Sequence, residues 1–274
     1  MRLSIITINY NNKDGLMKTL NSVFSQMFFH DYEYIVIDGG SSDGSKTILQ
    51  NSKGIDYWVS EPDRGIYHAM NKGIKVAQGD YCLFLNSGDV LFNETVLRDV
   101  FAESFSEDFV AGNHLSRQIT KAPNCLTAFF LFRSTICHQS VLIKTRLLKE
   151  LPYDENLQLV SDWKHMFVCL ALNNASYRYI NVIICKYDIQ GISTQNWEKV
   201  KDERERVLRD LLPNRIFNDY RIMELQQDSK CYNPKLYEYL KMVRPGGWDE
   251  KMFFMIIRVK IGLSDLKQFL KRLF

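Results

Sequence analysis

Blocks of apolar residues alternate with polar turns over the first hundred positions of the chain. Four short apolar runs, rich in β-branched and aromatic residues, are typical of strands, and the segments after the first three carry apolar residues at helical spacing. The strands are predicted at residues 3–9, 34–38, 57–59 and 81–85, and the helices at residues 16–27, 46–51 and 66–78. Nearly all-apolar strands that alternate with helices indicate parallel strands covered on both faces. We therefore predict an α/β fold with a mostly parallel, twisted sheet flanked by helices.

Polar residues stand at the carboxyl ends of three of these strands. They form the segments 9–12, 39–45 and 86–89, of which the second is rich in glycine and serine. The carboxyl ends of parallel strands lie at one edge of a sheet, and open α/β sheets bind their ligands at that edge. The sequence thus predicts a ligand site where the three segments meet.

The pattern becomes mixed after about residue 100. It predicts a hairpin over 109–119, a strand over 138–143, a helix over 161–173 that Ser161 caps, and a strand over 177–189. From Trp197 onward the chain is charged and helical. We expect one domain over residues 1–195 and a helical C-terminal extension over residues 196–274.

The composition is that of an ordinary globular protein. Of the 274 residues, 46% are hydrophobic and 24% are charged, which excludes wholesale disorder and coiled-coil repeats. The six cysteines form no CxxC pair, so a disulfide scaffold or a zinc ribbon is not expected. No apolar run approaches the ~18 residues that a membrane-spanning helix needs. We therefore expect reduced, structural thiols in a cytoplasmic protein.

The net charge of +3 gives no sign of a nucleic-acid partner, but basic residues are concentrated at one end of the chain. Residues 251–274 hold six Lys or Arg and one Asp, with apolar residues between them. Two interpretations of this segment stay open. It is either a helix packed on the domain with a solvated basic face, or an interfacial helix attracted to an anionic membrane surface.

Three acidic residues are placed near the predicted ligand edge. Asp38 and Asp89 end two of the predicted strands, and Asp63 lies in the loop before the third helix. Any one of them could serve only to cap a turn, but three carboxylates at one edge need a cation. Oxygen ligands without a Cys/His cluster indicate Mg²⁺ or Mn²⁺, ions that normally work with the phosphate groups of a ligand. The phosphate loops GxxxxGK[ST] and GxGxxG are absent, which argues against a P-loop hydrolase and a Rossmann dehydrogenase.

Five segments, in a fixed order, carry a resemblance to a known family. They are SIITINYN (4–11), IDGGSSDGS (37–45), SEPDRGIYHAMNKG (60–73), AQGD (77–80) and FLNSGD (84–89). They resemble family 2 of the inverting glycosyltransferases, in particular its bacterial polysaccharide-assembly branch. CHQS (137–140) and SDW (161–163) extend the likeness to about residue 195. The resemblance implies a GT-A fold with a nucleotide-binding half over residues 1–100 and an acceptor-side half over residues 101–195.

The resemblance also implies a role for each candidate site residue. Asp38 would read the uracil of a UDP-sugar, and Asp89 would hold the divalent ion, Mn²⁺ or Mg²⁺, that neutralises the leaving diphosphate. His138 is implied beside the metal or the diphosphate. The remaining implied contacts to the nucleotide-sugar are Thr7, Tyr10, Asp63, Arg64, Asn86 and Ser87. The family's usual Asp-x-Asp-Asp is replaced by NSGD at 86–89, which leaves one carboxylate, so we expect weaker metal affinity in the absence of nucleotide.

Asp162 matches the family's catalytic base, which would take the proton of the attacking hydroxyl. The other interpretation of Asp162 is a charge that stabilises the start of a helix. One carboxylate that acts directly gives a single displacement, hence inversion at the anomeric carbon. Members of this branch commonly use lipid-linked acceptors. The resemblance thus implies transfer to a hydroxyl of a polyprenyl-linked bacterial surface glycan, by a cytoplasmic enzyme peripheral to the inner face of the cell membrane.

Two other functions stay open from the residues alone. A nucleotidyltransferase shares this sheet architecture, but it is expected to carry a glycine-rich, basic triphosphate loop after the first strand, where residues 9–13 are NYNNK. A non-catalytic sugar-nucleotide-binding subunit would explain the reduced acidic motif. The presence of both Asp89 and Asp162 argues against that interpretation.

Overall fold

The computed structural model describes residues 3–27, 32–187 and 196–232. Within these ranges nine strands form one mixed sheet. They are β1 (Leu3–Asn9), β2 (Tyr32–Asp38), β3 (Tyr57–Ser60), β4 (Tyr81–Phe84), β5 (Val90–Leu91), β6 (Phe109–Leu115), β7 (Ile119–Thr120), β8 (Val141–Lys144) and β9 (Tyr177–Lys186). Their order is β3-β2-β1-β4-β8-β6-β9-β5, with β7 paired to β6.

Helices flank both faces of this sheet. Those in the described ranges are α1 (Lys13–Phe24), α2 (Ser45–Asn51), α3 (Ile66–Val76), α4 (Val96–Val100), α5 (Ala128–Arg133), α6 (Thr145–Glu150), α7 (Ser161–Met166), α8 (Trp197–Leu211) and α9 (Asn214–Tyr232). Because strand side chains alternate, β1 feeds two apolar cores. Ile6 packs in one core with Met70 of α3, and Ile5 packs in the other with Leu20 of α1.

The parallel part of the sheet lies where the sequence predicts it. β1 pairs in parallel with β2 and β4, and β2 pairs in parallel with β3. The next strand, β8, runs antiparallel to β4 and to β6, while β6 and β9 are again parallel. The predicted α/β fold with a twisted sheet flanked by helices is confirmed, and its second half is mixed.

The structure corrects three local predictions. The strand predicted over 138–143 begins only at Val141, because residues 138–140 form a 3₁₀ turn. The helix predicted over 161–173 ends at Met166 and continues as a π-helical turn. Its N-cap is Val160 rather than Ser161, whose hydroxyl accepts the backbone N–H of Asp154 at 2.5 Å instead. The hairpin predicted over 109–119 is confirmed by β6 and β7.

The C-terminal part is helical as far as the structure describes it. Residues Met1–Leu208 and Arg209–Phe274 form two compact units. α8 and α9 confirm the helical character predicted from Trp197 onward. The predicted basic helix over 251–274 lies outside the described residues. In the described ranges, no helix is both long enough and apolar enough to cross a lipid bilayer.

Candidate active site

The three polar segments meet at the carboxyl edge of the sheet, as predicted. The backbone N–H of Ser42 donates to Asn11 Oδ1 at 2.9 Å, which joins the first segment to the second. The side-chain amide of Asn12 donates to the carbonyl of Ser87 at 2.8 Å, which joins the first to the third. Asn12 also caps α1 by accepting the backbone N–H of Gly15 at 3.1 Å. The start of α1 is therefore tied to the same edge.

Asp38, the last residue of β2, is fully buried under four hydrogen bonds. Its carboxylate accepts the Asn9 amide at 2.7 Å, the Ser60 hydroxyl at 2.6 Å, and both the backbone N–H (3.0 Å) and the hydroxyl (2.5 Å) of Ser41. Burial works to raise the pKa of Asp38, but the hydrogen bonds outweigh it and hold the pKa below its ordinary value. A carboxylate has about four acceptor positions, so a direct contact with a nucleotide base would need one of these donors to leave.

Asn9, the last residue of β1, links Asp38 to the third polar segment. It lies beside Asp38 in the parallel register, and its Oδ1 accepts the Ser87 hydroxyl at 2.8 Å. Thr7, two residues earlier, is fully buried, and its hydroxyl pairs with the Tyr34 hydroxyl at 3.0 Å. The structure therefore brings Asn9 and Ser87 to the predicted site and leaves Thr7 in the core.

Tyr10, Gly39 and Asp63 lie close together at this edge. Tyr10 is 69% exposed. A Cβ built on Gly39 would lie 3.2 Å from the Tyr10 ring and 3.1 Å from Asp63 Oδ2. Asp63 Oδ1 is held by Lys72 Nζ at 2.6 Å and by His68 Nδ1 at 3.1 Å. No described side chain donates to Oδ2, so the absence of a Cβ at Gly39 lets an aromatic ring and an unused acceptor approach the backbone closely.

Arg64, predicted to assist the diphosphate, is paired with Glu155. Its Nη2 lies 2.6 Å from Glu155 Oε2, and the arginine side chain is 73% exposed. Glu155 also accepts from Asn71 Nδ2 at 3.1 Å, and Asn71 exchanges two hydrogen bonds with the backbone of Tyr153. The loop after α6 is thereby fastened to α3. Because so exposed an ion pair contributes only ~0–1 kcal/mol, Arg64 can leave Glu155 for a stronger anion at little cost.

The turn at residues 86–89 is held from behind by Thr19 of α1. The Thr19 hydroxyl is fully buried, donates to the carbonyl of Asp89 at 2.7 Å and accepts the backbone N–H of Gly88 at 3.0 Å. Gly88 has a φ of 110°, a left-handed conformation that favours glycine. The backbone of the turn is thus fixed by the protein itself.

Asp89 and Asn86 offer two oxygens in the same turn. Asp89 is 3% exposed, and its Oδ2 accepts Gln139 Nε2 at 2.9 Å and the backbone N–H of Asn86 at 3.2 Å. Asn86 Oδ1 is buried and has no hydrogen-bond partner among the described residues. This donor set fits Mg²⁺ or Mn²⁺, which take oxygen ligands and complete their shell with water and phosphate. The described part of the chain holds no group of three or more His, Cys, Asp or Glu suited to a metal, so the protein would supply only part of that shell.

Asp162, in the first turn of α7, is mostly buried and held by two side chains. The Tyr67 hydroxyl donates to Asp162 Oδ1 at 2.8 Å, and His138 Nδ1 lies 3.0 Å from Oδ2. Burial works to raise the pKa of Asp162, but the hydrogen bond and charge of His138, together with Tyr67, lower it. Burial alone would lower the pKa of His138, but the hydrogen bond and charge of Asp162 raise it to about 9. His138 therefore keeps the Nδ1 proton that it donates to Asp162 throughout the neutral range.

A chain of close contacts connects Asp162 with Asp89. His138 Nε2 lies 3.4 Å from Asn86 Nδ2, and the backbone N–H of Asn86 donates to Asp89. The two acids thus belong to one site. His138 Nδ1 is taken by Asp162 and Nε2 faces the Asn86 amide, so both ring nitrogens are already engaged and neither is offered to a metal ion. A cavity of about 560 Å³ lies around Tyr81, at the opposite edge of the sheet, and neither acid nor His138 lines it.

α8 braces the loop that precedes α7. Glu203 is 6% exposed, and its carboxylate accepts the backbone N–H groups of Gln158 at 2.9 Å and Leu159 at 2.7 Å. The adjacent Arg204 places its guanidinium 4.4 Å from the centre of the Trp163 ring. Glu203 and Arg204 are consecutive residues of α8, so a single turn of this helix contacts the chain just before and just after Asp162.

Four residues that shape this site were not predicted from the sequence, namely Asn9, Thr19, Tyr67 and Gln139. Two of them carried a signal: Asn9 ends a strand in register with Asp38, and Gln139 belongs to the CHQS segment. Thr19 carried a weaker signal, as a polar residue on the apolar face of a helix. Tyr67 lies in the segment at 60–73, but an aromatic residue in the first turn of a helix usually packs in the core.

Two comparisons of sequence identify relatives. The model of glycosyl transferase family 2 matches residues 4–147, which is more than half of the chain. An uncharacterized glycosyltransferase of Mycobacterium tuberculosis (strain ATCC 25618 / H37Rv) is 33% identical over 205 residues, which cover 70% of this chain and 77% of that protein. TuaG of Bacillus subtilis (strain 168), named for teichuronic acid biosynthesis, is 27% identical over 221 residues, which cover 73% of this chain and 84% of TuaG.

Two solved structures share the fold. TarS 1–349 of S. aureus in complex with UDP-GlcNAc has a TM-score of 0.61 at 18% identity, covering 99% of this chain and 79% of that one. The mannosyltransferase PcManGT from Pyrobaculum calidifontis, in complex with GDP-Man and Mn²⁺, has a TM-score of 0.61 at 13% identity, covering 98% and 79%. The GT-A fold that the resemblance implies is thereby confirmed. Together with the family match and the shared sequence, this fold shows that the chain belongs to glycosyl transferase family 2.

Proposed function

We propose that this glycosyltransferase is a metal-dependent, inverting enzyme that moves a sugar from a UDP-sugar to a hydroxyl of a bacterial surface glycan. The observation that carries the proposal is the single site shared by Asp89 and Asp162, which Asn86 and His138 connect. One acid is suited to the leaving diphosphate and the other to the attacking hydroxyl. The name of TuaG and the UDP-GlcNAc bound to TarS support this choice of acceptor and donor class.

The nucleotide base is proposed to lie over Gly39, between Tyr10 and Asp63. Uracil presents an imide N–H donor, and Asp63 Oδ2 is an acceptor that the described side chains leave unused. Asp38 then has an indirect role, because its carboxylate holds Asn9, Ser41 and Ser60 in place and does not contact the base. This assignment replaces the expectation, drawn from the resemblance, that Asp38 itself reads uracil.

Asp63→Asn tests the base assignment, because an amide can donate where the carboxylate only accepts. Cytosine presents an acceptor at the ring nitrogen where uracil presents a donor. The variant should lose ~1–3 kcal/mol of UDP affinity, and its preference for UDP over CDP should narrow or reverse. Lys72→Met is the control, since it removes the cation beside Oδ1 and leaves Oδ2 in place. Calorimetric titrations with UDP and CDP measure both; an unchanged ratio of the two affinities would place the base elsewhere.

The Asp89 carboxylate would hold the divalent ion together with Asn86 Oδ1, which has no hydrogen-bond partner among the described residues. When bound there, the ion supplies Lewis-acid stabilisation of the negative charge that develops on the diphosphate. The protein's own part is to keep the turn rigid through Thr19 and to offer Arg64 as a further cation. We propose that a bound diphosphate takes Arg64 away from Glu155.

Asp162 is the proposed base. Its lowered pKa keeps it ionised at neutral pH, and Tyr67 and His138 fix the direction of both carboxylate oxygens. The acceptor oxygen forms a bond to the anomeric carbon while its proton passes to Asp162. The bond from that carbon to the diphosphate breaks, and its electron pair leaves with UDP. Attack opposite the leaving group inverts the anomeric configuration.

The acceptor is proposed to approach through a cavity of about 350 Å³ beside Tyr67, between the start of α3 and the loop after α6. A polyprenyl-linked glycan would be presented at a membrane surface, and the basic, apolar segment at 251–274 is of the kind that an anionic membrane surface attracts.

The deciding experiment screens a panel of UDP-sugars with Mn²⁺ for donor hydrolysis and transfer, and determines the product anomer by NMR. Metal-dependent UDP binding without hydrolysis or transfer from any donor would favour the non-catalytic subunit, and a retained configuration would exclude the single displacement.

A further inference from the structure

Gln139 stands between the turn at residues 86–89 and a pair of thiols. Its side chain is 3% exposed, its Nε2 donates to Asp89 Oδ2 at 2.9 Å, and its Oε1 accepts the Cys137 thiol at 3.0 Å. Cys137 is in turn in hydrogen-bond contact with Cys185 of β9. A carboxylate only accepts and a thiol donates weakly, so the chemistry at both ends fixes which way the amide points.

This arrangement differs in kind from the contacts of Thr19. Thr19 binds the backbone of the turn, whereas Gln139 acts on the carboxylate of Asp89 itself. Holding the backbone does not set the torsion of the Asp89 side chain, and a ligand to a cation needs that direction defined. The backbone N–H of Asn86 also reaches Asp89 Oδ2, at 3.2 Å, and the Gln139 amide at 2.9 Å is the shorter of these two hydrogen bonds. Both polar atoms of the Gln139 amide are used for this purpose and for its own orientation.

We propose that Gln139 is a positioning residue that sets the direction of the Asp89 carboxylate toward the divalent ion, and that the Cys137 thiol holds Gln139 in the required orientation. The inference rests on the proposed role of Asp89. Residues that orient a metal ligand typically change metal affinity by about 10–100-fold when replaced. The thiol is a weak donor, so its own removal has the smaller effect of the two.

The test measures UDP binding by calorimetry in Mn²⁺ and in EDTA, and takes the ratio of the two affinities as the metal gain. Gln139→Met, which keeps the length and removes the donor, should lower the gain by about 10–100-fold and leave the affinity in EDTA unchanged. Cys137→Ala should lower it less, and Cys137→Ser should keep it, because a hydroxyl donates as the thiol does. Cys125→Ala, at an exposed thiol, is the control.

A further variant separates this inference from the proposed function. If Asp89→Asn leaves the metal gain unchanged, the role of Asp89 fails and the proposed function with it. If Asp89→Asn abolishes the gain while Gln139→Met keeps it, only the positioning role is overturned. Equal gains in Cys137→Ala and Cys137→Ser would overturn the part assigned to the thiol. Thermal unfolding of each metal-free variant checks that the variant is folded. If Gln139→Met does not fold, the positioning role is decided by the metal gains of Cys137→Ala and Cys137→Ser.

Discussion

Asp162→Asn tests the electrostatics of the site as well as its chemistry. The amide keeps the shape of the side chain and an acceptor for Tyr67, but it removes the anion that faces His138. Burial, the largest single influence on the imidazole, then lowers its pKa, and only the weaker influences of Cys137 and Asp89 still raise it. We expect the pKa of His138 to fall from about 9 to below its ordinary value of 6.5, so that the ring is neutral at neutral pH.

The size of the effect follows from the raised pKa. A rise from 6.5 to about 9 corresponds to about 3 kcal/mol of stability at low pH. The His138 side chain is only 19% exposed, so water screens the pair weakly, and removal of one partner of a buried pair costs ~3–5 kcal/mol. Because the folded pKa of His138 is raised, its contribution is complete below about pH 6.5 and is lost as the pH rises through about 9. The lowered pKa of Asp162 adds stability above about pH 3.8 that is lost as the pH falls further.

Two measurements on the metal-free, nucleotide-free protein check this reasoning. The pKa of His138 is read from its imidazole C–H resonances by NMR, assigned with a His138→Gln variant. Chemical denaturation between pH 6 and 9 should show falling stability in the wild type and little slope in Asp162→Asn. Asp99→Asn, which breaks an exposed pair with Arg98, is the matched control and should follow the wild type.

Turnover gives the second half of the test. Loss of the base should lower the rate of transfer by ~10²–10⁴-fold, with UDP affinity nearly unchanged. A His138 pKa that stays near 9 in the variant would refute the account of the ion pair. A variant that keeps most of its rate would remove Asp162 as the base, whatever the titration shows.

Three further predictions concern the supports of the site. Thr19→Val leaves two backbone groups of the turn without their partner, so it should lose ~1–3 kcal/mol of stability and bind UDP more weakly in Mn²⁺. Thr19→Ser keeps the hydroxyl and should keep both the stability, measured by denaturation, and the UDP affinity, measured by calorimetry. Glu203→Gln cannot accept both N–H groups of the loop before α7, so turnover should fall while UDP affinity holds; equal loss of both would contradict the brace. Deleting residues 251–274 should reduce co-sedimentation with anionic vesicles, and unchanged sedimentation would favour the packed helix.

The parallel half of the fold could be predicted because its signals are local. β1, β2 and β4 are nearly all apolar, and the helices between them repeat with helical spacing, so the bounds of these elements follow from sequence within about three residues. The antiparallel half is built from β5, β7 and β8, which are two to four residues long. The sequence located the β6–β7 hairpin and part of β8, but strands this short carry little periodicity, and their order in the sheet depends on partners far along the chain.

The site was predictable only where a motif names the residue. Asp89 and Asp162 came from segments of fixed pattern, but their connection through His138 crosses long stretches of chain and has no local signal. Thr7 and Asn9 stand on the same side of β1, and only the position of Tyr34 on the next strand decides that Thr7 is covered. Sequence shows the residue types at a strand end, whereas burial and the number of donors are set by neighbouring strands.

The brace from α8 bears on how such enzymes can be cut and recombined. The family match ends at residue 147, yet the predicted base lies at Asp162 and the carboxylate that fixes its loop at Glu203. A fragment trimmed to the matched segment would keep the edge proposed for the nucleotide and lose the proposed base together with the helix that supports its loop. Chimeras meant to exchange acceptor preference between relatives should therefore carry the stretch from α6 to Leu208 as one block, with its junctions outside both ends.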